Sequence, residues 1–306
     1  MKSGKQIVSY ALMSVLIWAC GRVTQIETPT NTPGVLSTKQ ITASAEPTEL
    51  LSVQLTKEDT PLLEPDLAKS DCLAQGGEIE QLTIESEFLG EELRFRVYTP
   101  PCYAEQAQRR FPVLYLFHGQ SYNDDQWDRL GADEAADKLI ASGEIAPFLI
   151  VMPYDRVSRQ PSKAPFGGAV VEELLPWVDA NYRTLAEREG RAIGGLSRGA
   201  SWALHLGMTH PELFGAMGGH SPPVFVEDSD KVRGWLDGIP EELMPRIWLD
   251  IGELDQRRIL DSVIWFEGLL DERDIPHEWS LFNGAHTEEY WSSHVELYLR
   301  WYAADW

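Results

Sequence analysis

Positive charge is scarce in this sequence: 26 Lys and Arg stand against 48 Asp and Glu, a formal net charge of −22 over 306 residues. That balance excludes nucleic-acid recognition, which needs clustered cations to meet phosphates. It equally excludes electrostatic docking on an anionic membrane. The plain reading of the charge is a solvated acidic surface that keeps the chain soluble. Cysteine is nearly absent too, with three in all. None stands in a metal-ligand spacing, and the seven histidines form no HExxH, so no metal is expected. A membrane-spanning run is missing. The apolar stretch Ile7–Ala19, "IVSYALMSVLIWA", has 13 residues, against roughly 20 for a spanning helix. Aromatic residues are absent from Gly21 to Ser70.

What stands around these gaps is informative. Lys2 and Lys5 precede the short apolar run and Cys20 follows it, which reads as a secretory signal over residues 1–20. "IWAC" resembles a bacterial lipoprotein signal, with Cys20 the lipidated residue, although Trp18 stands where a small residue is usual. An ordinary export signal with an incidental cysteine, or an uncleaved anchor, is the alternative. Residues 21–70 are rich in Thr, Pro, Ser and Glu and cannot bury enough apolar surface to offset their ordering entropy. They read as a disordered tether, and any membrane contact would come only through the lipid. An exported chain with Cys72 and Cys102 left over suggests a disulfide. Closing that loop would stabilise by roughly 3 to 4 kcal/mol.

The folded domain is placed at residues 71–306. "QLTIESEFL" and "LRFRVYTP" read as a leading antiparallel pair. "PVLYLFHG" and "PFLIVMPY" are near-continuous apolar runs bounded by Pro and Gly, as buried parallel strands are; "RAIGGLS", "RIWLDIG" and "HEWSLFNG" follow. Helical patterns lie between them: "GADEAADKLIAS", "AVVEELLPWVDANY", "GASWALHLGMTH", "LDSVIWFEGLLDERD" and "TEEYWSSHVELYLRWYAA". The alternation predicts an α/β domain with a mainly parallel sheet and helices on both faces. Chemistry then gathers at the carboxyl ends of the strands.

One such end carries Gly195-Leu196-Ser197-Arg198-Gly199, a G-x-S-x-G between an apolar strand and a good helix pattern. That is the context of a nucleophile elbow, where the turn is so tight that the flanking positions must be glycine. A serine nucleophile needs a base, and the base needs an orienting acid, in the chain order Ser, acid, His. His286 in "NGAHTEEYW" fits the base. His277 opens a strand at the wrong end of the sheet, and His220 precedes the acid. Asp255 fits the acid best, with Glu253 and Asp250 as alternatives. The oxyanion would be met by the backbone N–H of Arg198 and by the loop Gly119-Gln120-Ser121 after the strand "VLYLF", where Gly119 permits close backbone approach and the Gln120 or Ser121 amide donates. His118 reads as a support for that loop. Tyr122, Trp127, Tyr154 and Trp291 fall in segments that would face the site, either lining a substrate or packing.

Together "VLYLFHG…W", "AIGGLSRGA", "LDIGELD" and "NGAHTEEYW" resemble the α/β-hydrolase "putative esterase" family of feruloyl-esterase-like, enterochelin-esterase-like and antigen-85-like proteins, over about residues 80–303. The resemblance implies an α/β-hydrolase fold and ester hydrolysis or acyl transfer without a cofactor. It puts the nucleophile on Ser197, the acid on Asp255 and the histidine on His286. "CLAQGG…RFRVYTPPCY" also resembles exported members, with the paired cysteines at Cys72 and Cys102. The expected substrate is a small-molecule or carbohydrate-linked ester. The rival readings are an acyltransferase on the same residues and a non-catalytic surface lipoprotein that binds a ligand.

Overall fold

The computed structural model describes residues 71–306. The signal sequence, the lipidation site Cys20 and the tether expected over residues 21–70 lie outside the described residues. Among the described residues no helix is long and apolar enough to cross a membrane.

Eight strands make one sheet: β1 Glu78–Ser86, β2 Glu91–Thr99, β3 Val113–Phe117, β4 Leu149–Pro153, β5 Arg191–Leu196, β6 Ala216–His220, β7 Arg246–Gly252 and β8 Glu278–Phe282. Their order is β1-β2-β4-β3-β5-β6-β7-β8. The pairs β1–β2 and β2–β4 are antiparallel, and every pair from β4 to β8 is parallel. β3, β4, β5 and β6 are buried at every residue. That is why "VLYLF" and "LIVMP" are continuous apolar runs rather than alternating ones.

The period of two still divides the core. Val113, Tyr115 and Phe117 join Leu149 and Val151 on one face of the sheet, where the helices Arg198–Thr209 and Arg257–Asp271 pack. Leu114, Leu116, Ile150 and Met152 join the other face, under the helices Ala132–Ala141 and Glu288–Tyr302. Each fully buried side chain of this size contributes roughly 1.5 to 3 kcal/mol of transfer free energy. Cys72 and Cys102 are disulfide-bonded, with Cα atoms 5.1 Å apart.

Two features depart from the sequence pattern. β6, "AMGGH", is a strand the pattern does not announce, because two of its five residues are glycine. The reason lies across the core: a Cβ at Gly194 or Gly218 would sit 1.8 or 1.9 Å from the Tyr302 hydroxyl. The phenol of the C-terminal helix rests on two adjacent strands that must be bare there. The segment read as one helix, "AVVEELLPWVDANY", has a widened turn over Ala169–Leu174 before the helix Leu175–Asn181. Pro176, in its first turn, has no N–H and its ring crowds the preceding turn, so a wider turn relieves the strain.

Candidate active site

Three serines at neighbouring strand ends have positive φ: Ser121 after β3 (69°), Ser197 after β5 (51°) and Ser221 after β6 (54°). Non-glycine residues avoid this region, and such strain gathers at functional sites. Ser197 (ψ −122°) turns β5 directly into the helix Arg198–Thr209, and its N–H donates to the His220 carbonyl at 2.8 Å. The turn admits no side chain on either flank. A Cβ at Gly195 would lie 2.5 Å from the Gly199 carbonyl carbon, and one at Gly199 would lie 2.1 Å from the Phe117 carbonyl oxygen. Ser197 makes no side-chain cap to its own helix, so its hydroxyl is available to another partner.

That partner is His286, whose Nε2 lies 2.8 Å from Ser197 Oγ. The other ring nitrogen, Nδ1, lies 2.9 Å from Asp255 Oδ2. A carboxylate only accepts, so Nδ1 carries the hydrogen and Nε2 is left to accept the Ser197 O–H. Asp255 is further held by the Gln256 N–H, which donates to Oδ1 at 2.5 Å. Its side chain is fully buried, whereas that of His286 is 15% exposed.

The two loops are brought together by ladder-like bonds beyond the strand ends: Glu253 N–H to the Phe282 carbonyl and Leu254 N–H to the Gly284 carbonyl, both 2.8 Å. Gly252 allows that approach, since a Cβ there would be 2.3 Å from the Gly284 oxygen. Behind His286, Thr287 caps the C-terminal helix by accepting the Tyr290 N–H, and the Trp291 ring stands edge-on to the imidazole at 4.8 Å. Of the alternative acids, Glu253 is exposed. Asp250 is sealed inside β7 against His220, Tyr290 and Tyr298, so it is neither a surface carboxylate nor a partner of His286.

In the loop after β3 the roles divide. The Gly119 N–H donates to Gln126 Oε1 at 2.7 Å, so it has no hydrogen left for an oxyanion. The contribution of Gly119 is space: a Cβ there would meet Leu196 Cδ1 at 2.9 Å. Arg198 opens the elbow helix, where the first amides have no intrahelical acceptor. Its guanidinium turns away from Ser197 to Asp155 at 2.8 Å, an acid that also accepts from Trp202 Nε1 at 2.9 Å. His118 supports the loop as expected, and burial holds its imidazole below its usual pKa.

The expected lining residues divide. Trp127 belongs to the core: it is 2% exposed, donates to the Phe117 carbonyl at 2.9 Å and packs edge-on against Tyr298. Trp291 is 3% exposed and backs His286 rather than a substrate. Tyr122 is exposed beside Arg129, and Tyr154 lies against His118 and Arg94. A cavity of about 470 Å³ opens beside Arg198, the residue after Ser197, bounded also by Gln120, Pro223, Phe225 and Trp265. Phe225 and Trp265 give no sequence signal for this role, because each stands in an ordinary apolar pattern.

Residues 86–302 match the family described as "Putative esterase". The chain belongs to the Esterase family. Among curated Esterase relatives, the endo-1,4-beta-xylanase/feruloyl esterase of Xylanibacter ruminicola is 34% identical over 172 residues, 51% of this chain and 24% of that one. Esterase Rv1288 of Mycobacterium tuberculosis is 34% identical over 125 residues, 38% of this chain and 26% of that one. The chain thus spans about a quarter of the length of these curated relatives. Among solved structures, a ferulic acid esterase superposes with a TM-score of 0.68 at 23% identity, covering 75% of this chain and 98% of its own. The fluorophosphonate-binding serine hydrolase FphF of Staphylococcus aureus gives 0.64 at 15%, covering 74% and 99%. The shared fold is that of an α/β hydrolase, with a mainly parallel sheet between helices.

Proposed function

We propose that this Esterase-family chain is an exported serine carboxylic-ester hydrolase that works through an acyl-enzyme. The observation that carries the reading is the unbroken line Asp255–His286–Ser197, with links of 2.9 and 2.8 Å, ending on a serine held at positive φ. His286 Nε2 takes the Ser197 proton as Oγ bonds to the ester carbonyl carbon. The resulting oxyanion accepts from the backbone N–H groups of Arg198 and Gln120. His286 then gives its proton to the leaving alcohol oxygen as the ester C–O bond breaks. Water repeats the sequence on the acyl-enzyme, releasing the acid and restoring Ser197. Asp255 keeps the imidazole in its working tautomer and offsets its transient charge.

The cavity beside Arg198 supports a substrate class. Its volume of about 470 Å³ suits a compact group. Phe225 and Trp265 give it flat apolar surfaces, among polar groups that include Gln120, Ser201 and Arg258. An aromatic acyl group esterified to a carbohydrate fits that shape, and relatives named as feruloyl esterases favour it. The signal-like start of the sequence and the Cys72–Cys102 disulfide favour an exported enzyme held at the envelope by a lipid on Cys20.

The test is hydrolysis of p-nitrophenyl acetate, p-nitrophenyl butyrate and methyl ferulate by the full chain beside Ser197→Ala. The expected loss in kcat is at least about 10³-fold at unchanged folding. Turnover by Ser197→Ala at the wild-type rate would end the proposal.

A further inference from the structure

Ser197, His286 and Asp255 do not determine which way the peptide between Gly119 and Gln120 faces. That unit is planar and trans, so its carbonyl, on Gly119, and its N–H, on Gln120, point in opposite directions. A grip on the carbonyl therefore aims the N–H. His118 Nδ1 stands 2.7 Å from the Gly119 carbonyl oxygen. Its tautomer is fixed from the other side: the Asp155 backbone N–H donates to His118 Nε2 at 2.9 Å, and a backbone amide can only donate. His118 Nδ1–H thus donates to the Gly119 carbonyl, which also accepts the Tyr122 N–H at 3.2 Å.

The N–H side of Gly119 is gripped as well. Gln126 Oε1 accepts it at 2.7 Å, and Gln126 is completely buried. The amide of Gln126 is oriented in turn, because its Nε2 donates to Glu288 Oε1 at 3.1 Å. Glu288 is clamped by both terminal nitrogens of Arg129, at 3.1 and 3.2 Å. It stands two residues after His286, at the start of the C-terminal helix. One hydrogen-bonded chain therefore runs from the oxyanion loop to the loop that carries the base. A buried amide that only filled space would leave its polar atoms unpaired, which burial penalises. Here each is used, and each points at a site loop.

We infer that Gln126 is a positioning residue for ester hydrolysis. With His118 it fixes the Gly119 backbone so that the Gln120 N–H faces the oxyanion, and through Glu288 it sets that loop against His286. The inference rests on the Ser197 reading proposed above. Two variants of the full chain test it. Gln126→Met keeps the length and removes both polar contacts. Gln126→Glu sets two carboxylates face to face, and adding Glu288→Gln exchanges acceptor and donor and rebuilds the bridge.

The readouts are kcat and KM on p-nitrophenyl acetate, and the affinity of phenylboronic acid, whose tetrahedral adduct on serine places an oxygen where the oxyanion forms. Removing an oxyanion donor outright costs about 10²- to 10³-fold in kcat. A misaimed donor is expected to cost roughly 10- to 100-fold, with KM within about 3-fold and boronate affinity falling in step. The double variant Gln126→Glu with Glu288→Gln should regain most of the loss in Gln126→Glu. A Gln126→Met enzyme with lowered Tm but wild-type kcat and boronate affinity overturns the inference. So does a double variant no better than Gln126→Glu alone. Should Gln126→Met not fold, the exchange of donor and acceptor still decides. If the wild type neither hydrolyses the ester nor takes a fluorophosphonate on Ser197, the serine-hydrolase reading fails and the inference falls with it. If the wild type does both, a null result at Gln126 is the failure of the inference alone.

Discussion

Two histidine–aspartate pairs stand at neighbouring strand ends, and they differ in what meets the second imidazole nitrogen. In His286–Asp255 the Nε2 meets the Ser197 hydroxyl at 2.8 Å, and the ring keeps 15% of its surface. In His220–Asp250 the Nε2 meets the Tyr302 hydroxyl at 3.0 Å, and both side chains are fully buried. His220 is stacked on Tyr298 at 3.6 Å, and Asp250 Oδ2 accepts from the hydroxyls of Tyr290 and Tyr298 at 2.6 and 3.1 Å. Burial first, and then the Asp250 carboxylate, push these phenols above their ordinary pKa, so they remain donors. A histidine–aspartate pair is therefore not in itself a catalytic signature. One pair opens on a strained serine beside a cavity. The other closes on three phenols, and its backbone holds the elbow through the His220 carbonyl.

The largest expected effects separate the pairs by what is lost. His286→Ala should lower kcat by about 10⁴-fold or more, with Tm changed little, because the ring is at the edge of the core. Asp250→Ala should do the reverse. It leaves His220 and two phenol donors buried without their acceptor, at roughly 3 to 5 kcal/mol. At about 2 to 4 °C per kcal/mol for a domain of this size, Tm should fall by roughly 6 to 20 °C. The protein that remains folded at low temperature should turn over ester within a few-fold of wild type. Calorimetry and steady-state kinetics on both variants check this. A normal Tm with abolished turnover in Asp250→Ala would collapse the distinction.

The sequence carried one pair and hid the other, for a physical reason. Glycines beside Ser197, the order Ser–Asp–His and the apolar strands are local features, and local features can be read. Loop position and the family resemblance both favour Asp255 over Asp250, and His286 Nδ1 lies 2.9 Å from Asp255 Oδ2. The role of Asp250 was illegible because its partners come from β6 and from a helix 40 and 48 residues away. β6 is hidden in the sequence for the same cause. Its glycines look like a breaker until Tyr302, at the far end of the chain, is seen resting on them. Gln126 gives no sign among "NDDQW", since its meaning lies in a contact 162 residues off. Trp127 is open in the sequence between lining and packing, and only its 2% exposure assigns it to the core.

The sealed pair can be pressed without touching its charges. Gly218→Ala would put a Cβ 1.9 Å from the Tyr302 hydroxyl. Overpacking of this kind costs typically about 1 to 3 kcal/mol. Tyr302→Phe removes the colliding oxygen and also the donor to His220, so alone it costs about 1 kcal/mol. Combined, the two should destabilise by less than their sum, with a coupling of at least about 0.5 kcal/mol in urea unfolding. Strict additivity would mean that Tyr302 does not set the glycines of β5 and β6.

The smallest effect belongs to His118, a histidine with neither an acid nor a hydroxyl at its nitrogens. Nε2 accepts a backbone amide and Nδ1 faces a backbone carbonyl, so the folded ring has no place for a second proton. Burial lowers its pKa in the fold. A lowered imidazole pKa means that the unfolded chain binds more protons at mildly acid pH, so stability is complete above the unfolded value of about 6.5 and is lost as pH falls below it. His118→Asn keeps a donor toward the Gly119 carbonyl but cannot titrate. At pH 7.5 it should be less stable than wild type, because the Asp155 amide loses its acceptor. Between pH 7 and 5 the gap in Tm should narrow, as only the wild type pays for protonation. A gap constant across that range would mean that the folded protein accommodates the proton at His118. In that case the Gly119 carbonyl would be held by the Tyr122 N–H instead.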